Sequence, residues 1–409
     1  MMRRARPTRA AENRVARRRF LLTASAGLCA ALRRSTRAAP AVFGEEEVSA
    51  ERFRFRDGVQ TRTLVARVLI EAADGGVLLE SRDQRYWVVQ PDELLERRAA
   101  DAPFAYFDAK SLGAALQREA AEAGVRPPFD VVATRRYVIC TNAGSRYAEW
   151  CGALFERLMA GFTTHWRSRV LRLHRPPAPL PAIVLADRSE FDRYAETLVG
   201  RLDPNVHGFY SPVTNRMVLY DLTASPNEPP ARSWADITRK LAADPFNIST
   251  VVHEATHQIA FNSGMHRRLA DTPPWLVEGM AMYFETPDLN SRNGWRTIGR
   301  PNPWRLRPFL AAARRGRILP LEDFVTAQEV FADPQTAPLA YAQAWALTYF
   351  LIKTARNDML RYLRTLSRYA PLIERSDEQK RKDFTAAFGT DFAALQRSFL
   401  AYMSKLAMR

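Results

Sequence analysis

Cysteine is scarce in this sequence, with three residues in 409, and no two of them form a Cys-x-x-Cys pair. This absence excludes the thiolate zinc sites that are built on such pairs. Cys29 lies in an N-terminal segment that has the features of an export signal. Cys140 and Cys151 remain, and an even pair in an exported chain permits one disulfide. Two buried thiols fit the sequence nearly as well, so both alternatives stay open.

Long apolar runs are also lacking. The N-terminal run Leu21–Leu32 has 12 residues, whereas a membrane-spanning helix needs roughly 20. Clusters of Arg and Lys interleaved with aromatic residues, which are typical of single-strand grooves, are not found. The net charge is +16, but residues 1–41 hold eleven arginines and one acid and contribute +10 of it. We therefore expect no nucleic-acid partner and no stable membrane span in the mature chain.

The first 41 residues have the order of an export signal. Arg17-Arg18-Arg19 precedes Phe20-Leu21-Leu22, the mild apolar run follows, and Ala39-Pro40-Ala41 offers small residues to a signal peptidase. Two arginines followed by Phe and Leu resemble a bacterial twin-arginine signal. The sequence therefore predicts export to the periplasm or the extracellular space, with a disordered basic arm as the alternative.

The rest of the chain divides into three predicted parts. These are a small β-rich accessory domain at 42–127, an α+β domain at 128–307 and a helical C-terminal part at 308–409. Within the first part, residues 61–90 have the pattern of a β-meander with a turn at Asp74-Gly75-Gly76, and residues 92–124 have a helical pattern. Pro127-Pro128 marks the boundary to the second part.

The stretch from residue 251 to 260, VVHEATHQIA, carries two histidines four residues apart. The apolar residues around them recur at helical spacing and predict a helix packed on a core: Ile248, Val251, Val252, Ala255 and Ile259. His253 and His257 share one face of this helix, so their imidazoles can reach one ion together. Glu254 lies about 100° around the helix. That is where a general base can take a proton from a water beside the ion.

A third metal ligand is expected at Glu278. Pro273-Pro274 starts a helix, and Glu278 falls in its first turns. The loop at Asn262-Ser263-Gly264 can turn the chain back between the two helices. Two histidines and one carboxylate leave a fourth position open, as a catalytic zinc requires. We therefore expect one Zn²⁺ bound by His253, His257 and Glu278.

These residues carry a family resemblance. His253-Glu254-x-x-His257, followed by Trp275-Leu276-x-Glu278-Gly279-x-Ala281, resembles the gluzincin zinc metallopeptidases. More narrowly, it is similar to an uncharacterised exported bacterial family of the peptidase-MA-like group, over most of residues 130–355. The resemblance implies an α+β fold: a gluzincin-like zincin domain, with a small mixed sheet and active-site helices, between an N-terminal β-meander domain and a helical C-terminal part. It also implies that Glu254 acts as general base and acid.

The resemblance implies two further roles. An edge strand of the small sheet would pair with the substrate backbone, and Met217–Tyr220 is the candidate, although a plain edge strand fits as well. Gluzincins also often place a Tyr or His to stabilise the oxyanion. Tyr341 begins a later helix and is the catalytic candidate, with core packing near Trp345 as the alternative. His207, ahead of the candidate strand, is a weaker candidate.

Two carboxylates are candidates to support a ligand histidine. Glu285 follows Glu278 by seven residues and so returns to nearly the same helix face. It can accept a hydrogen bond from a ligand histidine, or it can form a surface salt bridge. Asp271 is the second candidate. The histidines predicted outside the site are His165 and His174, as structural residues, and His266, as a solvated one.

The sequence thus predicts an exported zinc metallopeptidase that hydrolyses peptide bonds in a peptide or protein substrate. The alternative is a catalytically inactive zinc-binding scaffold of the same fold. We find no motif for gripping a free terminus, so endo- and exo-cleavage stay open, as do the substrate and the oligomeric state.

Overall fold

The chain folds into a mixed α and β structure. A computed structural model describes these residues: 49–202, 206–224, 231, 233–243, 245–286 and 295–406. The predicted export signal at 1–41 lies outside them. Elements are numbered along the described residues. The chain begins with an antiparallel sheet, continues with a second sheet that has helices on both faces, and ends with a helical part. This order confirms the mixed α and β class.

The N-terminal sheet is antiparallel, with strand order β4-β3-β2-β1-β5. Its strands are β1 (Glu51–Asp57), β2 (Gln60–Glu71), β3 (Val77–Ser81), β4 (Tyr86–Val89) and β5 (Leu94–Ala99). The predicted meander is confirmed in β2, β3 and β4. β5 lies in a stretch predicted as helical. Its strand conformation comes from pairing with β1, a long-range contact that the local pattern does not contain.

The second sheet is mixed, with order β6-β7-β8-β10-β9. Its strands are β6 (Asp130–Ala133), β7 (Tyr137–Thr141), β8 (Leu180–Leu185), β9 (Gly208–Tyr210) and β10 (Met217–Tyr220). β10 is parallel to β8 and antiparallel to β9, so it has a partner on each side. The prediction that Met217–Tyr220 forms the edge was therefore wrong. The edge strand is β9, whose three residues are too few to show a period of two.

Helices cover both faces of the second sheet. They are α1 (Ala109–Glu122), α2 (Ser145–His165), α3 (Arg188–Leu198), α4 (Trp234–Ala243) and α5 (Pro245–Asn262). α1 and α3 form one core with the strand residues that point to their side, and α2, α4 and α5 contribute to the larger core on the other side. α1 falls in the range predicted for the accessory domain, yet it packs on β7 of the second sheet.

The two cysteines of the second unit lie on opposite faces of its sheet. Cys140 is on β7 and packs in the core formed with α1 and α3, whereas Cys151 is on α2 in the larger core. Both are buried free thiols. The permitted disulfide is therefore absent, because the alternation of β7 directs Cys140 away from α2.

The C-terminal part consists of helices. They are α6 (Pro274–Phe284), α7 (Pro303–Arg314), α8 (Leu321–Phe324), α9 (Glu329–Ala332), α10 (Ala337–Thr354), α11 (Arg356–Leu366), α12 (Asp377–Phe388) and α13 (Phe392–Leu406). α10 is buried along most of its length and packs against α6 and α7. It therefore forms a rigid support behind the helix that carries Glu278.

Among the described residues, none of the helices has both the length and the apolar character needed to cross a membrane.

Candidate metal centre

α5 presents two imidazoles at one point. Its apolar stripe, from Ile248 to Ile259, is buried in the larger core and fixes the rotation of the helix. His253 and His257 then share the opposite face, with ring centroids 4.6 Å apart. Their Nε2 atoms are 2.9 Å apart. The i, i+4 spacing thus brings the two rings together as predicted from the sequence.

α6 supplies the third group. This helix begins at Pro274, directly after Pro273, and it packs against α5. Glu278 Oε2 lies 3.1 Å from His253 Nε2 and 3.6 Å from His257 Nε2. The three side chains therefore converge from two helices, and one ligand atom of each lies within 4.8 Å of the others.

The geometry and chemistry of this group fit a metal ion. Ligands of a tetrahedral zinc at the usual bond lengths are separated by about 3.3 Å, close to the three distances found here. Glu285 accepts a hydrogen bond from His253 Nδ1 at 2.8 Å, which leaves the His253 Nε2 atom to face His257 and Glu278. A nitrogen lone pair, a second imidazole nitrogen and a carboxylate oxygen then point at one place. That arrangement can hold a cation at its centre.

The electrostatics of the group are consistent with a bound cation. Burial lowers the pKa of His253, but hydrogen bonds to Glu278 and Glu285 outweigh it and raise the pKa to about 10. Burial raises the pKa of Glu278, but the charge of His257 and hydrogen bonds from both histidines hold it well below its usual value. Both shifts favour a cation between these side chains, either a proton or a metal ion that displaces it.

Glu285 holds His253 from behind. Its carboxylate also accepts two hydrogen bonds from Arg305, at 2.9 and 3.1 Å, and one from Asn302 at 3.1 Å. Burial raises the pKa of Glu285, but the hydrogen bond from His253 and the charge of Arg305 lower it overall. The carboxylate thus stays ionised and fixes the His253 tautomer. Sequence analysis missed Arg305 and Asn302, which lie beyond the motif and carry no local signal.

Asp271, the other candidate for that role, lies elsewhere. Its Oδ2 atom accepts from the backbone N–H of Arg375 at 2.8 Å and is 3.2 Å from Lys380 Nζ. Arg375 also donates to the Asp271 carbonyl oxygen. The prediction of Asp271 as a supporting carboxylate was therefore wrong: this residue joins the start of α6 to α12.

Glu254 lies on α5 next to the edge strand β9 and close to His253 and His257. A Cβ atom at Gly208 would lie 3.5 Å from Glu254 Cγ, and the backbone N–H of Tyr210 donates to the Glu254 carboxylate. Burial raises its pKa, and the charges of His253 and His257 only partly offset this. A carboxylate with a raised pKa, held beside but not among the three converging atoms, is suited to accept a proton.

Tyr341, in the first turns of α10, lies close enough to Glu278 and Glu254 to feel their charges. The Glu278 carboxylate raises the pKa of its phenol, and burial and Glu254 raise it further. Its ring packs edge-on against Phe331, 5.6 Å between centroids. The phenol is therefore protonated at neutral pH and can act as a hydrogen-bond donor.

His266 is not solvated, contrary to the sequence-based expectation. Its side chain is 2% exposed, its ring packs 5.3 Å from that of Phe261, and burial lowers its pKa to about 3. Neither ring nitrogen has a hydrogen-bond partner among the described residues. The neighbouring arginines suggested a surface position, but Arg268 is itself buried because it bonds three backbone carbonyls.

The other histidines make different contacts. The ring of His165 packs against Trp166, Tyr283 and Phe284, and burial lowers its pKa to about 4. His174 is exposed, and its backbone N–H donates to the carbonyl of Ser263. His207 stacks on Tyr220 at 6.1 Å. None of the three belongs to the metal-ligating group formed by described residues.

Comparison with protein families gives one match. The family model described as "Protein of unknown function (DUF1570)" matches residues 247–373. This part contains the three converging side chains together with Glu254, Glu285, Arg305 and Tyr341, but neither β9 nor the N-terminal sheet. No curated protein matches the chain. The similarity therefore coincides with the candidate site and leaves its chemistry to be argued from the geometry.

Proposed function

We propose that this protein is an exported zinc-dependent peptidase of the gluzincin type. The observation that carries the proposal is the convergence of His253, His257 and Glu278 on one point, with the Glu254 carboxylate beside it. Two neutral nitrogen ligands, one carboxylate ligand and a nearby unligated carboxylate form the donor set of a catalytic rather than a structural zinc site. The basic N-terminal segment with its twin-arginine-like pattern supports export.

The three converging side chains would hold the ion, and Glu285 would keep His253 oriented. When bound, zinc would make a water acidic near neutral pH and polarise the carbonyl of the scissile bond. The side chains would then divide the proton transfers and the stabilisation of charge between them.

Glu254 is proposed as general base and then general acid. Its raised pKa increases its affinity for a proton, and the hydrogen bond from the Tyr210 N–H helps to fix the orientation of its carboxylate. The carboxylate takes a proton from the attacking water and passes it to the leaving amine.

The edge strand β9 is proposed to hold the substrate backbone. Among the described strands, β9 pairs only with β10, and it borders Glu254 at Gly208 and Tyr210. An extended peptide can add to such an edge through main-chain hydrogen bonds. We therefore assign the pairing with the substrate backbone, which the resemblance implies, to Gly208–Tyr210 instead of Met217–Tyr220.

The proposal is tested by profiling peptide cleavage with the purified mature protein. We expect about one zinc per chain by elemental analysis, and cleavage of peptides from a proteome-derived library that a chelator abolishes and added zinc restores. A Glu254→Gln sample under the same conditions identifies cleavage by contaminants. If zinc is retained but wild type and variant leave the library equally intact, the protein is an inactive zinc-binding scaffold and the proposed activity is wrong.

Tyr341→Phe is expected to lower kcat about a hundredfold with little change in KM, because an oxyanion donor acts mainly in the transition state. The ring and its packing on Phe331 are retained. Steady-state kinetics on a peptide found by the profiling measures the effect. Tyr402→Phe on α13 is the matched control. An unchanged kcat would mean that Tyr341 serves only to pack against its neighbours, such as Phe331.

Arg305→Gln is expected to weaken zinc binding roughly 10- to 100-fold, the range found when hydrogen-bonding groups around a metal ligand are removed. Arg305 is such a group because it holds Glu285, which in turn holds the ligand His253. Glu285 would lose both Arg305 hydrogen bonds and the positive charge that keeps it ionised. Competition with a chelator of known affinity measures the change. Arg307→Gln is the matched control, since Arg307 is exposed two residues further along α7. Equal affinities in the two variants would refute a role for Arg305.

A further inference from the structure

The N-terminal sheet reaches into the second unit through the turn between β3 and β4. Arg216, at the start of β10, is fully buried and receives this turn. Its guanidinium donates to the Asp83 carboxylate and carbonyl at 2.6 and 2.7 Å, twice to Glu119 at 2.9 and 3.2 Å, and to the Thr214 carbonyl at 2.6 Å. Its donors are therefore saturated, and two of its partner atoms belong to the N-terminal sheet's turn.

Gln84, in the same turn, connects the N-terminal sheet to α5 through a chain of hydrogen bonds. Its side chain is 3% exposed, donates to the Pro179 carbonyl at 2.7 Å and accepts from Asn215 Nδ2 at 3.0 Å. Asn215 exchanges hydrogen bonds with the side chain of Asn262, the last residue of α5, at 2.7 and 3.0 Å. Gln258 of α5 also donates to the Asn215 carbonyl at 2.9 Å. One buried amide network thus joins the first sheet to the helix that carries His253 and His257.

Arg268 connects the β3–β4 turn to the turn between β9 and β10. It donates to the carbonyls of Pro212 and Val213 in the β9–β10 turn, at 2.6 and 2.8 Å, and to the Gln84 carbonyl at 2.9 Å. Its guanidinium lies 3.6 Å from the centre of the Tyr86 ring. The Tyr86 N–H donates to the Val213 carbonyl at 2.8 Å. The β9–β10 turn is therefore held from outside as well as by its own hydrogen bonds, such as those from the Ser211 N–H to the Arg216 carbonyl and from the Asn215 N–H to the Ser211 carbonyl.

The edge strand β9 leads directly into this turn. β9 has three residues and, among the described strands, one paired neighbour. The Tyr210 hydroxyl donates to Asn215 Oδ1 at 2.8 Å, and the Tyr210 N–H bonds Glu254. A short edge strand opens locally at low cost unless its turn is fixed. The buried polar network supplies such fixing, because its members hold one another in a single geometry, although Gln258 Oε1 has no hydrogen-bond partner among the described residues.

We propose that the N-terminal sheet is a positioning element of the candidate active site rather than an independent appendage. Its β3–β4 turn, through Gln84 and Arg268, holds the β9–β10 turn and so places β9 beside Glu254. The consequence for substrate binding rests on the proposed peptidase function. The consequence for the position and mobility of β9 does not.

Hydrogen exchange on the full mature chain tests this with Gln84→Gly. Gln84 has φ +71°, so glycine keeps the backbone while it removes the amide. We expect amide exchange across residues 208–216 to rise at least about tenfold, while α6 and α10 keep wild-type rates. Gln90→Gly is the control, since Gln90 lies exposed directly after β4 of the same sheet. Arg268→Lys, which keeps the charge but loses the planar fork, is expected to give the same local pattern.

Kinetics and metal content separate this inference from the proposed function. Gln84→Gly should retain zinc, raise KM about tenfold because substrate pairs with the displaced strand, and also lower kcat because the Tyr210 N–H on that strand orients Glu254. Unchanged exchange at 208–216 in both variants would overturn the inference. Faster exchange spread over the whole chain would overturn it equally, since the network would then serve stability alone. If wild type cleaves no peptide, the peptidase proposal fails while the exchange result still decides the role of the sheet.

Discussion

Glu254→Gln is expected to lower peptide hydrolysis by about 10³- to 10⁴-fold, the upper part of the range for loss of a general acid–base group. The substitution keeps the shape of the side chain. The glutamine carbonyl oxygen can still accept the Tyr210 N–H, so the contact with β9 survives. What is lost is the ability to bind and release a proton. Because Glu254 is not one of the three side chains that would bind the ion, the zinc content of the variant should equal that of wild type.

The measurement is a comparison of kcat for the two proteins at equal zinc content. Glu196→Gln makes the same charge change at an exposed position of α3 and should leave both quantities unaltered. Turnover by purified Glu254→Gln at a rate near that of wild type would rule out the proton-transfer role. Loss of zinc in this variant would instead mean that Glu254 helps to bind the ion, contrary to the geometry.

The residues of the candidate site that lie on one helix could be predicted from the sequence because helix geometry is local. The spacing of His253, Glu254 and His257 fixes their relative directions on any helix, and the apolar stripe fixes which face is free. Glu278 lies on another helix, and its prediction rested on the helix start at Pro273-Pro274, on the loop that can turn the chain back and on the Glu-Gly pattern of the resemblance. Glu285 followed from Glu278 by helical periodicity alone.

The parts that could not be predicted depend on long-range packing. β9 has only three residues, too few to show the alternation of a strand, so the sequence favoured the longer Met217–Tyr220 as the edge. Arg216 and Arg268 are fully or almost fully buried, although arginine is among the residues most often exposed. Their burial requires backbone carbonyls or carboxylates from residues more than fifty positions away. No local pattern records such partners.

Gly279→Ala is expected to be the most disruptive single-methyl substitution near the site. A Cβ at Gly279 would lie 2.1 Å from Thr348 Oγ1 and 2.5 Å from the Ala344 carbonyl oxygen of α10. Thr348 can rotate, but the backbone of α10 is buried and cannot yield. α6 would have to move by about 1 Å to restore ordinary contact. Overpacking of this kind costs about 1–3 kcal/mol of unfolding free energy, and more when both elements are rigid.

The same displacement would reach the metal centre, because Glu278 directly precedes Gly279. Metal–ligand distances tolerate about 0.2 Å, so a shift of α6 should weaken zinc binding as well as lower the thermal unfolding midpoint. Gly113→Ala in α1 is the matched control: the three atoms nearest to its Cβ would all belong to the side chain of Val131, which is partly exposed and can rotate. Calorimetry and chelator competition on both variants measure the two effects. A Gly279→Ala protein with wild-type stability and zinc affinity would contradict the argument that this glycine exists to seat α6 on α10, with Glu278 held against the two histidines.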